Sequence, residues 1–172
     1  KADKKYFQNL YIADADGKNL RSLTHGKRHD NTPRWSPDGS TIAFISKRAD
    51  GNEKIPSDQI WLLPMDGGEA APITSLKAGS VSAIQWSPDG KSIAYLGFDD
   101  TYQGYQVTNL YVMKRDGSGS KLISQKLDRD VENIQWSADG KGLYFQYDDK
   151  GDTWIAFIDL NGTITKLSNE VG

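Results

Sequence analysis

Cysteine is absent from the sequence, and that absence removes several chemistries together. Disulfides, thiolate zinc sites, cysteine nucleophiles and iron–sulfur clusters all require the thiol. The compartment stays open, because a chain without cysteine suits the cytoplasm as well as a periplasm or the exterior. Histidine is scarce, and the two present, His25 and His29, lie in one short stretch. A dominant charge is lacking too: 21 Lys and Arg face 23 Asp and Glu, for a formal net charge of −2. Without a basic field, nucleic-acid binding driven by counterion release is not expected as the main function. Long apolar runs are also missing. The longest, around Ile60 to Met65, is interrupted by Pro64 and falls far short of the ~20 residues of a membrane-spanning helix. Neither a nucleic-acid nor a membrane partner is expected. No secretory apolar segment stands at the start, and the sequence begins at Lys1 rather than Met, so a processed or excised product is expected.

What is present is order-forming and rich in turns. Aromatic residues make up 10% of the 172 positions, five of them Trp, which argues against disorder. Seventeen Gly and six Pro imply many chain reversals. The informative feature is repetition. Trp35-Ser36-Pro37-Asp38-Gly39 recurs as Trp86-Ser87-Pro88-Asp89-Gly90 and as Trp136-Ser137-Ala138-Asp139-Gly140, at spacings of 51 and 50. Asp16-Gly17, Asp66-Gly67, Asp116-Gly117 and Asn161-Gly162 follow in the same phase. So do the apolar–hydroxyl pairs Leu23-Thr24, Ile73-Thr74, Ile123-Ser124 and Leu167-Ser168.

Each signature predicts a piece of β-structure. In Pro-Asp-Gly, proline pre-sets the first turn residue and glycine takes the left-handed position that closes it. Shortly after each such glycine comes a continuous apolar run: Ile42-Ala43-Phe44-Ile45, Ile93-Ala94-Tyr95-Leu96 and Leu143-Tyr144-Phe145. Apolar residues at successive positions fit a strand covered on both faces. Asp-Gly and Asn-Gly are hairpin signals, preceded by Leu10-Tyr11-Ile12, Ile60-Trp61-Leu62-Leu63, Leu110-Tyr111-Val112 and Ile155-Ala156-Phe157. Pro72 falls in a final short strand, a place open to it only at a sheet edge. No segment shows sustained helical periodicity.

Each unit therefore reads as four antiparallel strands, a to d, with a lining a central channel and d at the rim. Four strands per 40–50 residues mark the blade of a β-propeller. The expected fold is all-β: a propeller segment with full blades at 31–75, 81–125 and 131–168 and a half-blade at 6–24. Propellers close at four to eight blades. Three and a half blades are expected to be part of a ring completed by other polypeptide or by a second copy. The five Trp are expected in the core.

Chain direction sorts the loops. The a–b and c–d turns share one end of the blades, and the b–c and d–a loops share the other. The b–c loops are expected at Lys47 to Asp58, Gly97 to Thr108 and Asp148 to Asp152. Binding residues concentrate on irregular loops carried by a rigid scaffold. The candidate interaction surface therefore holds Asp50, Asp99, Asp100, Asp148 and Asp149, with His25, Lys27, Arg28, His29, Asp128, Arg129 and Asp130 from d–a loops. Tyr102 and Tyr105, flanking Gly104, are added as aromatic contact candidates. For the charged residues the competing explanation is a solvated loop end; for the tyrosines it is packing on their own blade.

The remaining motifs carry no chemistry. His25 and His29 have the i, i+4 spacing of helical zinc ligands, but no helix and no third ligand accompany them. Asp148-Asp149 lacks the loop pattern of a calcium site. Asn161-Gly162-Thr163 matches a glycosylation sequon, yet a tight turn explains it better. Gly117-Ser118-Gly119-Ser120 is neither a phosphate loop nor a nucleophile elbow. No catalytic, metal or cofactor site is assigned.

The run Pro33-Arg34-Trp35-Ser36-Pro37-Asp38-Gly39-Ser40-Thr41-Ile42-Ala43-Phe44-Ile45-Ser46 resembles TolB-like propeller repeats. Further strings, among them Gln59 to Ala70, Gly104 to Met113, Leu127 to Val131 and Gly142 to Asp149, resemble the propeller of the prolyl oligopeptidase family of serine peptidases, in its acylaminoacyl-peptidase and dipeptidyl-peptidase branch. The resemblance implies a propeller that caps an α/β-hydrolase domain of the same parent and filters short peptide substrates by size. The Ser-Asp-His triad would belong to that domain, so no catalytic residue carries over. No match is found to the propeller glutamates that hold a substrate amine in dipeptidyl peptidases, so that specificity does not carry over. The alternatives are a non-catalytic TolB-like propeller acting by protein–protein contact and another propeller enzyme such as a polysaccharide lyase.

Overall fold

The structure, a computed structural model, describes residues 6–48, 57–76, 78–98 and 106–168. Its architecture grows from one turn used three times. Gly39, Gly90 and Gly140 all have φ of 68°. Their amides donate to the carbonyls of Ser36, Ser87 and Ser137, each at 2.9 Å. The serine hydroxyl of each turn donates to the aspartate two residues on, at 2.5 Å for Ser36–Asp38 and 2.7 Å for Ser87–Asp89 and Ser137–Asp139. The same hydroxyl accepts the amide that opens the next strand, from Thr41, Ser92 and Gly142. The serine is buried at all three positions, so its polarity is satisfied inside the turn.

Each turn joins two strands of a four-stranded antiparallel meander. Blade 1 comprises β3 (Asp30–Trp35), β4 (Thr41–Ser46), β5 (Gln59–Pro64) and β6 (Ala71–Pro72). Blade 2 comprises β7 (Ser80–Trp86), β8 (Ser92–Phe98), β9 (Asn109–Lys114) and β10 (Lys121–Leu122). Blade 3 comprises β11 (Glu132–Trp136), β12 (Gly142–Asp149), β13 (Asp152–Asp159) and β14 (Ile164–Lys166). Before them, β1 (Tyr11–Ile12) pairs with β2 (Arg21–Ser22) as the half-blade. The expected fold is thus present, with Pro72 on an edge strand.

The recurring hydroxyls continue the outer pairing beyond the short d strands. Thr24, Thr74, Ser124 and Ser168 accept the amides of Leu10, Ile60, Leu110 and Ile155, each at 2.9 Å. A bulge interrupts every a strand, at Asn31/Arg34, Val81/Ala83 and Glu132/Gln135. Thr32 (φ 52°) and Asn133 (φ 49°) occupy it in the left-handed region.

The core lies between blades, which explains the unbroken apolar runs. Successive residues of a strand point to opposite faces. On β4, Ile42 and Phe44 meet Leu10 of the half-blade, whereas Ala43 and Ile45 meet Val81, Ile84 and Ile93 of blade 2. Ala94 and Leu96 of blade 2 meet Ile134, Leu143 and Phe145 of blade 3 in the same way.

Two sequence expectations are corrected. Four tryptophans are buried, but Trp35 is 48% exposed. The buried Trp86 and Trp136 each lie against the a strand of the blade before them, and among the described residues the half-blade has no such strand. The third b–c connection is also not a loop from Asp148 to Asp152. Strands β12 and β13 run to Asp149 and from Asp152, leaving only Lys150 (φ 54°) and Gly151 (φ 91°) between them. Two successive positive φ values make the mirror-image turn whose twist matches a hairpin.

Candidate interaction face

The b–c and d–a connections share one end of the blades, as expected. Asp99, Asp100, Tyr102 and Tyr105 lie outside the described residues, as does Asp50. The remaining candidates fall into separate groups. Arg129, in the connection from blade 2 to blade 3, donates through Nε and Nη2 to Asp149 Oδ1 at 3.0 and 2.9 Å. It also bonds the Asp128 carbonyl, and the Asp128 carboxylate stands 3.8 Å away. Asp148 is apart from them and accepts the Thr153 hydroxyl at 2.6 Å. Asp128, Arg129 and Asp149 thus form an exposed charged cluster, with Asp149 at the end of a strand. Asp130 accepts the Thr108 amide at 2.6 Å and ties the connection to the start of β9.

A second group, centred on Asp30 and Arg48, was not legible as a unit. Asp30 is 2% exposed. Its carboxylate accepts the Ser46 hydroxyl and Arg48 Nη2, the latter at 3.1 Å. The Arg48 guanidinium lies over the Trp61 ring, 4.2 Å from its centroid, and 5.3 Å from that of Phe44. Burial of this charge pair is tolerated because both partners are hydrogen-bonded. Beside it, between the half-blade and blade 1, is a groove of about 610 Å³. Lys27 and Arg28 approach it from the d–a connection, and Lys47 and Arg48 from the end of β4. Trp61 forms part of its wall, and Glu69 lies toward the c–d turn. Trp61 Nε1 is buried without a hydrogen-bond partner, an arrangement that destabilises by roughly 1–3 kcal/mol. The sequence signal was two dibasic doublets, Lys27-Arg28 before β3 and Lys47-Arg48 after β4, at the same end of the blade.

The opposite end of the blades is tight and regular. Asp38, Asp89 and Asp139 are held below the ordinary carboxylate range, first by the serine hydroxyl of their own turn and then by a backbone amide. Asp38 also accepts from Arg115 Nη1 at 3.1 Å, and Arg115 Nη2 reaches Thr41 Oγ1 at 2.6 Å, linking blade 2 to blade 1. A smaller recess lies among the a strands, lined by Arg34, Gln85, Asn133 and Gln135. Among the described residues, neither histidine bonds a hydroxyl or carboxylate, and no group of three or more His, Asp or Glu is placed to hold a metal ion.

Comparison with known proteins follows the architecture. The family described as TolB beta propeller domain matches residues 4–170. The chain is 37% identical over 128 residues to the uncharacterised peptidase YuxL of Bacillus subtilis (strain 168), covering 66% of this chain and 18% of that protein. It is 31% identical over 93 residues to dipeptidyl-peptidase 5 of Porphyromonas endodontalis, covering 54% of this chain and 12% of that protein. The matched segment therefore spans less than a fifth of either relative. Among solved structures, a putative TolB from Agrobacterium tumefaciens superposes with a TM-score of 0.73 at 25% identity, covering 94% of this chain and 55% of that one.

Proposed function

The chain belongs to the TolB beta propeller domain family, and from that premise we propose that it is an arc of a larger ring: the substrate gate of a serine exopeptidase or oligopeptidase. The arc is the half-blade 6–24 with blades 31–75, 81–125 and 131–168. It caps a separate α/β-hydrolase domain of the same parent. That domain hydrolyses short peptides by acyl transfer to water, and this segment supplies no catalytic group. Asp128, Arg129, Asp148 and Asp149, with Asp99, Asp100, Tyr102 and Tyr105 from the second b–c connection, belong to the contact face of the gate.

The observation that supports the gate reading is the kinship with two peptidases, each more than 30% identical over the matched segment. The arc reading rests on the two end faces. Trp35 is 48% exposed at one end, and Tyr144 and Ile155 are each 43% exposed on blade 3 at the other. Apolar side chains at these places are buried wherever a neighbouring blade is present. Further blades of the parent cover both faces; a second copy of the chain would cover them instead if the segment dimerises.

Hydrolysis assays test the gate. The full-length protein is expected to cleave chromogenic aminoacyl or acyl-peptide substrates and to spare a folded polypeptide, while residues 1–172 alone turn over neither. A full-length protein inert on all short peptides would overturn the reading. It would favour the second one, a non-catalytic propeller acting by protein–protein contact, which the likeness to the Agrobacterium TolB supports.

A further inference from the structure

We propose that the groove between the half-blade and blade 1 is an oxyanion site, in which a carboxylate or phosphoryl group bridges the two units. This inference concerns a seam between blades and does not depend on the peptidase reading.

The charge balance comes first. Arg48 is already neutralised by the buried Asp30, at 3.1 Å. Among the described residues, that leaves Lys27, Arg28 and Lys47 around the groove against one carboxylate, Glu69. The local excess is positive in a chain whose net charge is −2. Like charges gathered across a seam repel, and the repulsion is relieved by a bound anion. The cations also come from both sides: Lys27 and Arg28 precede β3, whereas Lys47 and Arg48 follow β4. An anion held among them ties the half-blade connection to blade 1.

The second observation is the wall. Trp61 is 7% exposed, and its Nε1 has no hydrogen-bond partner. The guanidinium of Arg48 lies over its ring. Trp61 lines the cation-rimmed groove, and its buried donor lacks the acceptor that an oxyanion seated against the indole edge would supply. The guanidinium is planar and fixed by Asp30, so it is pre-oriented rather than mobile.

Calorimetric titration and thermal unfolding of the full chain test the proposal, with inorganic phosphate and succinate as separate probes. At least one probe is expected to bind at one equivalent, with affinity that weakens as sodium chloride rises. Its binding should raise the unfolding midpoint, because a ligand held only by the folded state stabilises it. Phosphate binding without succinate binding identifies the phosphoryl source, and the converse identifies a carboxylate. Lys27→Gln with Lys47→Gln, both on exposed side chains, should weaken binding at least tenfold and abolish the midpoint shift. Lys91→Gln, at a turn on blade 2, should change neither. Absence of binding for both probes overturns the proposal, as does binding that survives the double substitution.

Discussion

The indole Nε1 of Trp86 donates to the backbone carbonyl of Arg34 at 3.0 Å, across the seam between blades 2 and 1. The relationship repeats one blade on, where Trp136 Nε1 donates to Gln85 O at 3.3 Å. Each acceptor is the residue just before the tryptophan of the preceding blade. The Trp-Ser-Pro-Asp-Gly repeat therefore does two things. Its last four residues close a turn, and its first residue docks onto the neighbour. Trp35 has the same local sequence but no preceding a strand among the described residues.

Replacing Trp86 by Phe keeps most of the apolar contact and removes the donor. The loss leaves the Arg34 carbonyl without its indole partner and should destabilise by about 1–3 kcal/mol. Trp35→Phe in the same 172-residue chain should change stability by less than about 0.5 kcal/mol, because that side chain is half exposed. Urea unfolding of the two variants checks the contrast. In the full-length parent, Trp35→Phe should cost about as much as Trp86→Phe.

The outer end of the seam depends on glycine. Gly117 has φ of 83°, and a Cβ placed there would stand 2.1 Å from the Ile73 carbonyl of blade 1. Gly119, at φ 66°, has open space around it. Gly117→Ala should therefore destabilise by about 3 kcal/mol or more, through both strain and collision. Gly119→Ala should cost only about 1 kcal/mol. Similar losses for the two would contradict close blade stacking at Gly117.

Much of this organisation is legible in the sequence, for a physical reason. Turn chemistry is local, so Pro-Asp-Gly and Asp-Gly announce hairpins without reference to the rest of the chain. Burial is not local. Trp35 carries the same motif as Trp86, and only the missing neighbour makes it exposed. Asp148 and Asp149 looked like a loop because aspartate is uncommon in strands, yet pairing with Thr153 and Asp152 holds them extended. The groove at Arg48 joins residues from two blade units, so no single stretch announces it. Its charged residues read separately as solvated ends.

The repeated hydroxyls give a graded prediction. Ser124 is fully buried and accepts the Leu110 amide at 2.9 Å. Ser124→Ala should destabilise by about 1–3 kcal/mol, because the amide is left unpaired in the core. Ser168 makes the same bond to Ile155 in an exposed setting, where water can substitute. Ser168→Ala should lose under about 0.5 kcal/mol. Equal losses would show that the hydroxyls act through the turn rather than through the buried amide.

Acid sensitivity follows from the turn aspartates. Asp38, Asp89 and Asp139 are held below their ordinary range by serine hydroxyls and backbone amides. A carboxylate with a folded pKa below its unfolded value contributes stability above the unfolded value, near 3.9, and loses it as pH falls through the folded one. The unfolding midpoint should be flat from about pH 7 to 5 and decline below about pH 4. Asp89→Asn with Asp139→Asn should lower the plateau and make the decline shallower. A decline that begins near pH 6 would contradict this account.

The role proposed for this chain is that of a non-catalytic gate in a serine peptidase. The most direct measurement is labelling of the full-length protein with a fluorophosphonate, a reagent that phosphonylates activated serines with loss of fluoride, followed by mapping of the modified residue. The account predicts stoichiometric labelling of one serine outside residues 1–172 and none on the isolated segment. A modified serine within residues 1–172, or a folded full-length protein that takes no label, would contradict it.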